Sequence, residues 1–448
     1  MHPSPPTGVA EAPTRPGGIV RQLGPGLIIS SIIVGSGELI VTPKLGAEAG
    51  FKLLWFIVLG CFLKVFIQIE FGRYAVLRGR TTLEGLNTLP GPRWIVSWVL
   101  WIWFAVYLAM VFQVAGIVGG VAKIFELAGV PMPLPVLAVG IGASCAALLV
   151  LGRYRLVESL STVMVALFVA ATLVAVFALQ RTNFALTGAQ LAEGLSFQLP
   201  DRLVTMFGAF GIIGVGASEL IYYPYWCLEK GYAMKVGPDD GTPEWATRAQ
   251  GWLRIMRIDA WLSFAVYTTT TLAFYLLGAA ILHARNLEVQ NSAMIETLSR
   301  MYRDVFGEWS FPLFLVGAFA VLFSTLFGGT ASNARLLVDS LRLAGVRTYR
   351  DAEERARLVK IASVGLAVAF TGVFILWQAP VTLVFIGAVG QGVMLPFLGL
   401  AAVHFHFTNP HHRLRAGPLS LAGMLLAAAC MAALGIYQVV DELGKRLG

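Results

Sequence analysis

Charge is what this sequence has least of. Only 13% of its 448 residues are Asp, Glu, Lys or Arg, while 57% are hydrophobic. A soluble domain carries about 25% charge. A folded surface this poor in charge does not stay in water, which excludes a cytosolic enzyme, a disordered chain and a fibrous protein. Histidine is scarce, at six residues. The chain has no Walker A motif, no dinucleotide fingerprint and no His-Glu-x-x-His, and no nucleophile–base pair stands out. Neither an ATP-driven pump nor an enzyme is therefore expected. The four cysteines, Cys61, Cys145, Cys227 and Cys430, lie far apart in apolar stretches. None has metal-ligand spacing, so they read as small core hydrophobes. Residues 1–24 hold five prolines and no apolar core, which fits neither a signal nor a transit peptide. They read as a disordered cytoplasmic tail.

What the sequence has instead is long apolar runs, with a mean hydropathy of +0.74. Runs of roughly 20 residues cross a bilayer, and backbone groups in lipid must be satisfied internally, so each run is a helix. Eleven are predicted, near 25–43, 51–77, 95–121, 134–151, 156–179, 203–226, 257–282, 310–334, 358–377, 380–403 and 418–440. Residues 25–440 then form one all-α transmembrane domain, and 441–448 a short tail. Gln378, Ala379 and Pro380 alone mark the turn between the ninth and tenth spans. The outward loop 283–309 alternates charged and apolar residues and suits a short amphipathic helix.

The net charge of +8 reflects topology rather than nucleic-acid binding. With the N-terminus inside, 22 Lys and Arg fall on the inner side and 10 outside, with Lys64 inside the second span. By the positive-inside rule the N-terminus is cytoplasmic. An odd number of spans then puts the C-terminus outside. The expected location is the plasma (inner) membrane.

An internal repeat supplies the functional signal. Residues 32–43 read Ile-Ile-Val-Gly-Ser-Gly-Glu-Leu-Ile-Val-Thr-Pro, and 213–224 read Ile-Gly-Val-Gly-Ala-Ser-Glu-Leu-Ile-Tyr-Tyr-Pro. Seven of the twelve positions are identical at a constant offset of 181. The copies are five spans apart and run in opposite directions. That is the mark of an inverted repeat of five spans plus five, about 25–180 and 203–403, with an eleventh span appended. Small residues in mid-span, Gly35-Ser36-Gly37 and Gly216-Ala217-Ser218, are either a close helix contact or a helix break. A glutamate follows in each copy, Glu38 and Glu219. A carboxylate in mid-membrane costs at least ~2.5 kcal/mol and faces a cavity or a partner. Two such groups near a pseudo-two-fold axis need a shared proton or a cation between them.

The candidate ligands are therefore Glu38, Glu219, Ser36, Ser218 and carbonyls near Gly35 and Gly216. Neither break contains methionine, cysteine or histidine, and oxygen ligands suit Mg2+, Ca2+ and Mn2+. These residues would also accept an organic cation or amino acid. Gln113 and Gln391 either line the cavity or make interhelical hydrogen bonds. Thr268 to Thr271 form a hydroxyl-rich run, with Thr269 a candidate lining residue, and threonine often bonds back to its own helix. Lys64 either neutralises a carboxylate or snorkels. Glu70, about 600° of helix away from Lys64, sits on another face. Tyr222 either gates or packs. Asp259 and Arg257 look like an interfacial pair.

The residues Gly24-Pro25-Gly26, Gly46-Ala47, Gly50 to Trp55, Gln68 and Arg73 resemble the first two helices of the Nramp divalent-metal transporters. Gly211 to Gly214 resembles the start of that family's sixth helix, and Pro396-Phe397 fits its tenth. The resemblance implies a leucine-transporter-type fold with discontinuous first and sixth helices. The departures are specific. The family's first-helix Asp-Pro-Gly-Asn is here Gly35-Ser36-Gly37-Glu38, and its sixth-helix Met-Pro-His is Ser218-Glu219-Leu220. Gln113 and Gly116 stand where acids of the third helix relay protons. The chain is thus similar to the divergent, Nramp-related magnesium transporters. The expectation is a carrier of a hard divalent cation, Mg2+ or Mn2+, without proton coupling and without a permanent cofactor. Its partners are the ion and the bilayer, and it works as a monomer. An amine or amino-acid symporter of the same fold and a cation channel are the alternatives.

Overall fold

A computed structural model describes residues 8–152, 154–198 and 203–447. Among the described residues, ten helices are long and apolar enough to cross a membrane. Leu134–Val150, of 17 residues, makes an eleventh apolar helix, about 25 Å long. The order of spans follows the sequence reading. The turn at Gln378–Ala379 does separate Ala352–Leu376 from Pro380–Thr408, where Pro380 opens the helix. The loop after the seventh span carries the amphipathic helix Met294–Phe306, with Met294, Ile295, Leu298, Met301 and Tyr302 turned inward.

The first span is broken. Helix Pro25–Ile33 stops, Val34 and Gly35 form a turn, and Gly37–Val41 continues as a π-helical stretch into Thr42–Ala49. The sixth is broken too. Leu203–Ile212 ends, residues 213–216 are non-helical, and Ala217–Glu229 resumes. Gly214 sits in this second break at φ 63°, a left-handed conformation that glycine adopts without a Cβ penalty. The small residues of the repeat are breaks, as expected, but Ala217 and Ser218 already belong to the resumed helix.

Around the breaks the first, second, sixth and seventh spans pack on one another, and the third and tenth pack along much of their length. Glycines permit these close approaches. A Cβ at Gly390 would lie 2.6 Å from Ala109 Cβ, and one at Gly116 would lie 2.6 Å from the Pro380 carbonyl. One at Gly211 would lie 2.6 Å from Gly392 N, which seats the sixth span on the tenth.

Two expectations at the chain ends change. Residues 8–24 are docked rather than free. Helix Pro16–Gln22 forms, Ala10 N–H donates to the Lys235 carbonyl (3.0 Å), and Trp252 Nε1–H donates to the Ala10 carbonyl (2.8 Å). Tyr232 O–H also donates to the Gln22 carbonyl (2.7 Å). Backbone groups of this polar segment find partners that its composition does not advertise. At the other end, helix Pro418–Leu447 runs on through the stretch 441–447 expected as a tail. The seventh span also begins early. Helix Pro243–Leu277 starts 14 residues before the apolar run and carries it beyond the bilayer.

Candidate metal site

The two breaks meet. A Cβ on Gly37 would lie 3.1 Å from the Ile212 carbonyl, so the turn of the first span lies against that of the sixth. Glu38, at the start of the second half of the first span, is fully buried. Its Oε1 accepts from Gly214 N–H (3.2 Å) and from Thr271 Oγ1–H (3.0 Å). Its Oε2 is buried with no hydrogen-bond partner among the described residues. A buried carboxylate oxygen without a partner is expensive, and it marks a place where a proton, a water or a cation belongs.

Glu219, in the first turn of the resumed sixth helix, is half-buried. Its carboxylate folds back over Gly216, where an added Cβ would lie 2.6 Å from Oε2 and 2.8 Å from Gln391 Oε1. The Glu38 carboxylate bonds Gly214 and the Glu219 carboxylate covers Gly216, so both acids reach the break of the sixth span. No hydrogen bond joins them among the described residues.

Ser218 ties this helix start to the scaffold. Its N–H donates to Gln391 Oε1 (2.8 Å), and Gln391 Nε2–H donates to Gln113 Oε1 (2.7 Å). The two glutamines therefore bridge the third, tenth and sixth spans beside Glu219. The Ser218 hydroxyl donates to Met110 Sδ (3.3 Å). Ser36 is buried. Gly35 is a contact as well as a break, since an added Cβ would meet Thr325 Oγ1 and lie 2.7 Å from Thr325 Cβ. Tyr222 is buried at 3% exposure, packed within this core.

Lys64 resolves in a third way. Fully buried, it neither snorkels nor pairs with a carboxylate. Its Nζ donates to the carbonyls of Phe210 and Ile213 (2.8 Å for Ile213) and lies 4.5 Å from the Phe210 ring centre. Glu70 pairs with Arg73 one turn on, with His406 Nδ1 3.7 Å away. It is separate from Lys64, as helix geometry requires.

Thr269 is exposed on the seventh span, turned away from Glu38's partner Thr271. Four consecutive threonines cover the whole helix circumference; Thr268, Thr270 and Thr271 are buried, and of these Thr271 reaches Glu38. Asp259 does not pair with Arg257. It accepts from Gly24 N–H (2.9 Å), Gly26 N–H (2.6 Å) and Tyr223 O–H (3.1 Å), capping the start of the first span.

Sulfur also reaches the breaks from outside them. Met110 comes from the third span. Cys61 comes from the second, where a Cβ on Gly214 would lie 2.6 Å from its Sγ. Reading each break in isolation misses both. A helical-face plot of the second span shows Cys61 three residues before Lys64, on its side of the helix. Among the described residues no three His, Cys, Asp or Glu cluster as a metal nest. The candidate site therefore rests on Glu38 and Glu219 with the hydroxyls and backbone around the breaks.

A cavity of about 970 Å³ opens on the face that carries the N-terminal segment, bordered by Tyr74, Arg78, Arg80, Asp239, His404 and Thr408. Its lining includes neither glutamate.

The comparisons with known proteins agree with this architecture. An uncharacterized Pasteurella multocida protein is 27% identical over 359 residues, covering 78% of this chain and 77% of that one. The divalent metal cation transporter MntH of Deinococcus radiodurans is 26% identical over 315 residues, covering 70% and 68%. A crystal structure of the Eremococcus coleocola manganese transporter superposes with a TM-score of 0.70 at 15% identity, covering 99% of this chain and 91% of that one. The nucleobase-cation-symport-1 family transporter Mhp1 gives a TM-score of 0.57 at 14% identity, covering 95% and 94%. The two solved structures and the Deinococcus relative are transporters by name. The family pattern described as Nramp, natural resistance-associated macrophage protein-like, matches residues 26–441, and the chain belongs to that family.

Proposed function

We propose that this chain carries a hard divalent cation, Mg2+ or Mn2+, across the plasma membrane by alternating access and without proton coupling. The observation that carries the reading is Glu38. It is a fully buried carboxylate at the meeting of two helix breaks, with one oxygen engaged and the other unpartnered. Glu219 brings a second negative charge into range. Lys64 is engaged by carbonyls and forms no ion pair with either acid, so both carboxylates stay open to a metal ligand role. Ser36, Ser218 and the carbonyls near Gly35 and Gly216 complete an oxygen-rich surround, in which a hard ion keeps some of its waters. The third span offers Gln113 and Gly116 and no acid before Glu126, so a proton relay through that span has no carrier. The sulfur of Met110 stands at the edge of the site and favours Mn2+ over Mg2+ as the preferred of the two.

The test is uptake of Mg2+, Mn2+ and Ca2+ into proteoliposomes with lumenal pH read in parallel. Saturable Mn2+ or Mg2+ uptake without acidification is expected. Glu38→Gln and Glu219→Gln, each removing one ligand charge, should lower uptake at limiting metal at least about tenfold while the proteins remain folded. Full transport in both variants overturns the site. Uptake inhibited by amines but not by metals makes the chain an organic-cation symporter instead.

A further inference from the structure

The two breaks are related by the 181-residue offset, so each carbonyl at one has a counterpart at the other. Ile32 corresponds to Ile213, and Ile29 to Phe210. At the first break the Ile32 carbonyl lies 3.0 Å from Thr325 Oγ1, which is also 3.1 Å from the Val321 carbonyl, while Ser324 Oγ bonds Val321 of its own helix (2.9 Å) and stands 3.4 Å from the Ser31 carbonyl. A neutral hydroxyl of the eighth span, that of Thr325, therefore meets that half-helix end. At the second break the corresponding carbonyl of Ile213, with that of Phe210, accepts from the ammonium of Lys64. One half-helix ends on a hydroxyl and its repeat mate ends on a buried cation.

The C-terminal end of a helix carries about half a negative charge, concentrated on its last unpaired carbonyls. In the membrane those oxygens cannot turn to bulk water. A cation is the natural partner, and broken transporter helices use such carbonyls to ligate one. Everything around Lys64 fits a cation seat. The ammonium lies over the Phe210 ring, an added cation–π contact. It also feels the charges of Glu38 and Glu219 without touching either. Four methylenes reaching a buried ammonium to two carbonyls is a costly way merely to fill space, since the lysine must be desolvated.

We propose that Lys64 is a tethered cation that occupies a monovalent-cation seat at the C-terminal end of the first half of the sixth span, in place of a diffusible coupling ion. The transporter carries this counter-charge permanently, so its cycle needs no inorganic co-ion at the second break. Removing the ammonium reopens the seat to a small monovalent cation. Lys64 is a positioning residue in this scheme. It holds the break in shape for Glu38, which bonds Gly214 immediately after Ile213.

Lys64 caps the break whatever the cargo is, so the first test uses no divalent ion. Purified wild type, Lys64→Met and Lys64→Gln are melted in detergent with chelator, in NaCl, LiCl, KCl or choline chloride at one ionic strength. Gln retains hydrogen-bond donors without the charge, which separates charge from capping. Wild type is expected to melt at the same temperature in all four salts. Both variants are expected to gain stability saturably with Na+ or Li+ over choline, as a ligand that binds only the folded state produces. Folded variants indifferent to the cation, or a wild type that responds equally, overturn the proposal. Should neither variant survive purification in choline, monodisperse recovery in NaCl alone supports it, and loss in both salts overturns it. In proteoliposomes, Mn2+ uptake by Lys64→Met should rise several-fold on replacing choline with Na+, while wild-type uptake stays unchanged.

Discussion

Thr271 holds Glu38 through a single hydroxyl, and it shows what the site demands of one residue. The hydroxyl donates to Glu38 Oε1 (3.0 Å) and lies 2.7 Å from the Tyr267 carbonyl one turn back. Thr271→Val keeps the shape and removes the donor. Leaving a buried carboxylate oxygen short of a partner costs about 1–3 kcal/mol. The expected result is a lower melting temperature in detergent together with weaker metal affinity, read as a higher KM with little change in maximal rate. Met110→Leu tests the other side of the site. It conserves volume and deletes the sulfur, so the ratio of Mn2+ to Mg2+ uptake should fall while total folded protein is unchanged. Neither residue is legible as a ligand neighbour in the sequence. Glu38 and Glu219 declare themselves because a carboxylate in mid-span is too costly to sit there without a cavity or a partner, and the repeat doubles the signal. Thr271 hides in a run of four threonines, and only the neighbouring spans decide which faces inward. Lys64 stays open between two roles in the sequence because its real partners are backbone carbonyls, which carry no sequence signature.

At the scale of elements, the breaks themselves are readable. Glycine and serine in mid-span, repeated at a fixed offset and followed by proline, signal a helix that stops and restarts. What pins each break is tertiary and is not readable. Gly35 lies against Thr325 of the eighth span, and Asp259 of the seventh caps Gly24 and Gly26. Gly35→Ala drives a methyl into Thr325, and overpacking of this kind costs about 1–3 kcal/mol. A melting temperature equal to wild type would show that the eighth span yields there. Combining it with Thr325→Ala removes the Oγ1 and Cγ2 clashes and should recover part of the loss. Asp259→Ala leaves the Gly24 and Gly26 N–H groups without their acceptor at the start of the first span. Hydrogen exchange over residues 24–30 should then speed up, with exchange in the third and tenth spans unchanged. Uniform protection across both regions would mean that another group takes over the cap.

For the whole molecule, the decisive question is which way the inverted repeat is inserted. If all eleven apolar helices cross the bilayer, the two termini lie on opposite faces. The face bearing the docked segment 8–24 also carries the loops with Arg78, Arg80, Lys230, Lys235 and Arg248, and the run from Arg335 to Arg357. Lysine and arginine near span ends hold their side in the cytoplasm. An epitope placed before Met1 should therefore be shielded in intact cells and labelled only after permeabilisation, and one placed after Gly448 should be labelled from outside. The opposite labelling would invert the direction assigned to every span. The 970 Å³ cavity beside Arg78 and His404 would then face outward. In the expected orientation that cavity is cytoplasmic and Glu38 is closed from solvent, and on the proposed function the first half of the first span, held by Asp259, is the element expected to move. A disulfide introduced across that element and the seventh span should stop Mn2+ uptake reversibly, with flux restored by reductant. Uptake that continues at full rate with the crosslink formed would rule out motion of this half-helix as part of the cycle.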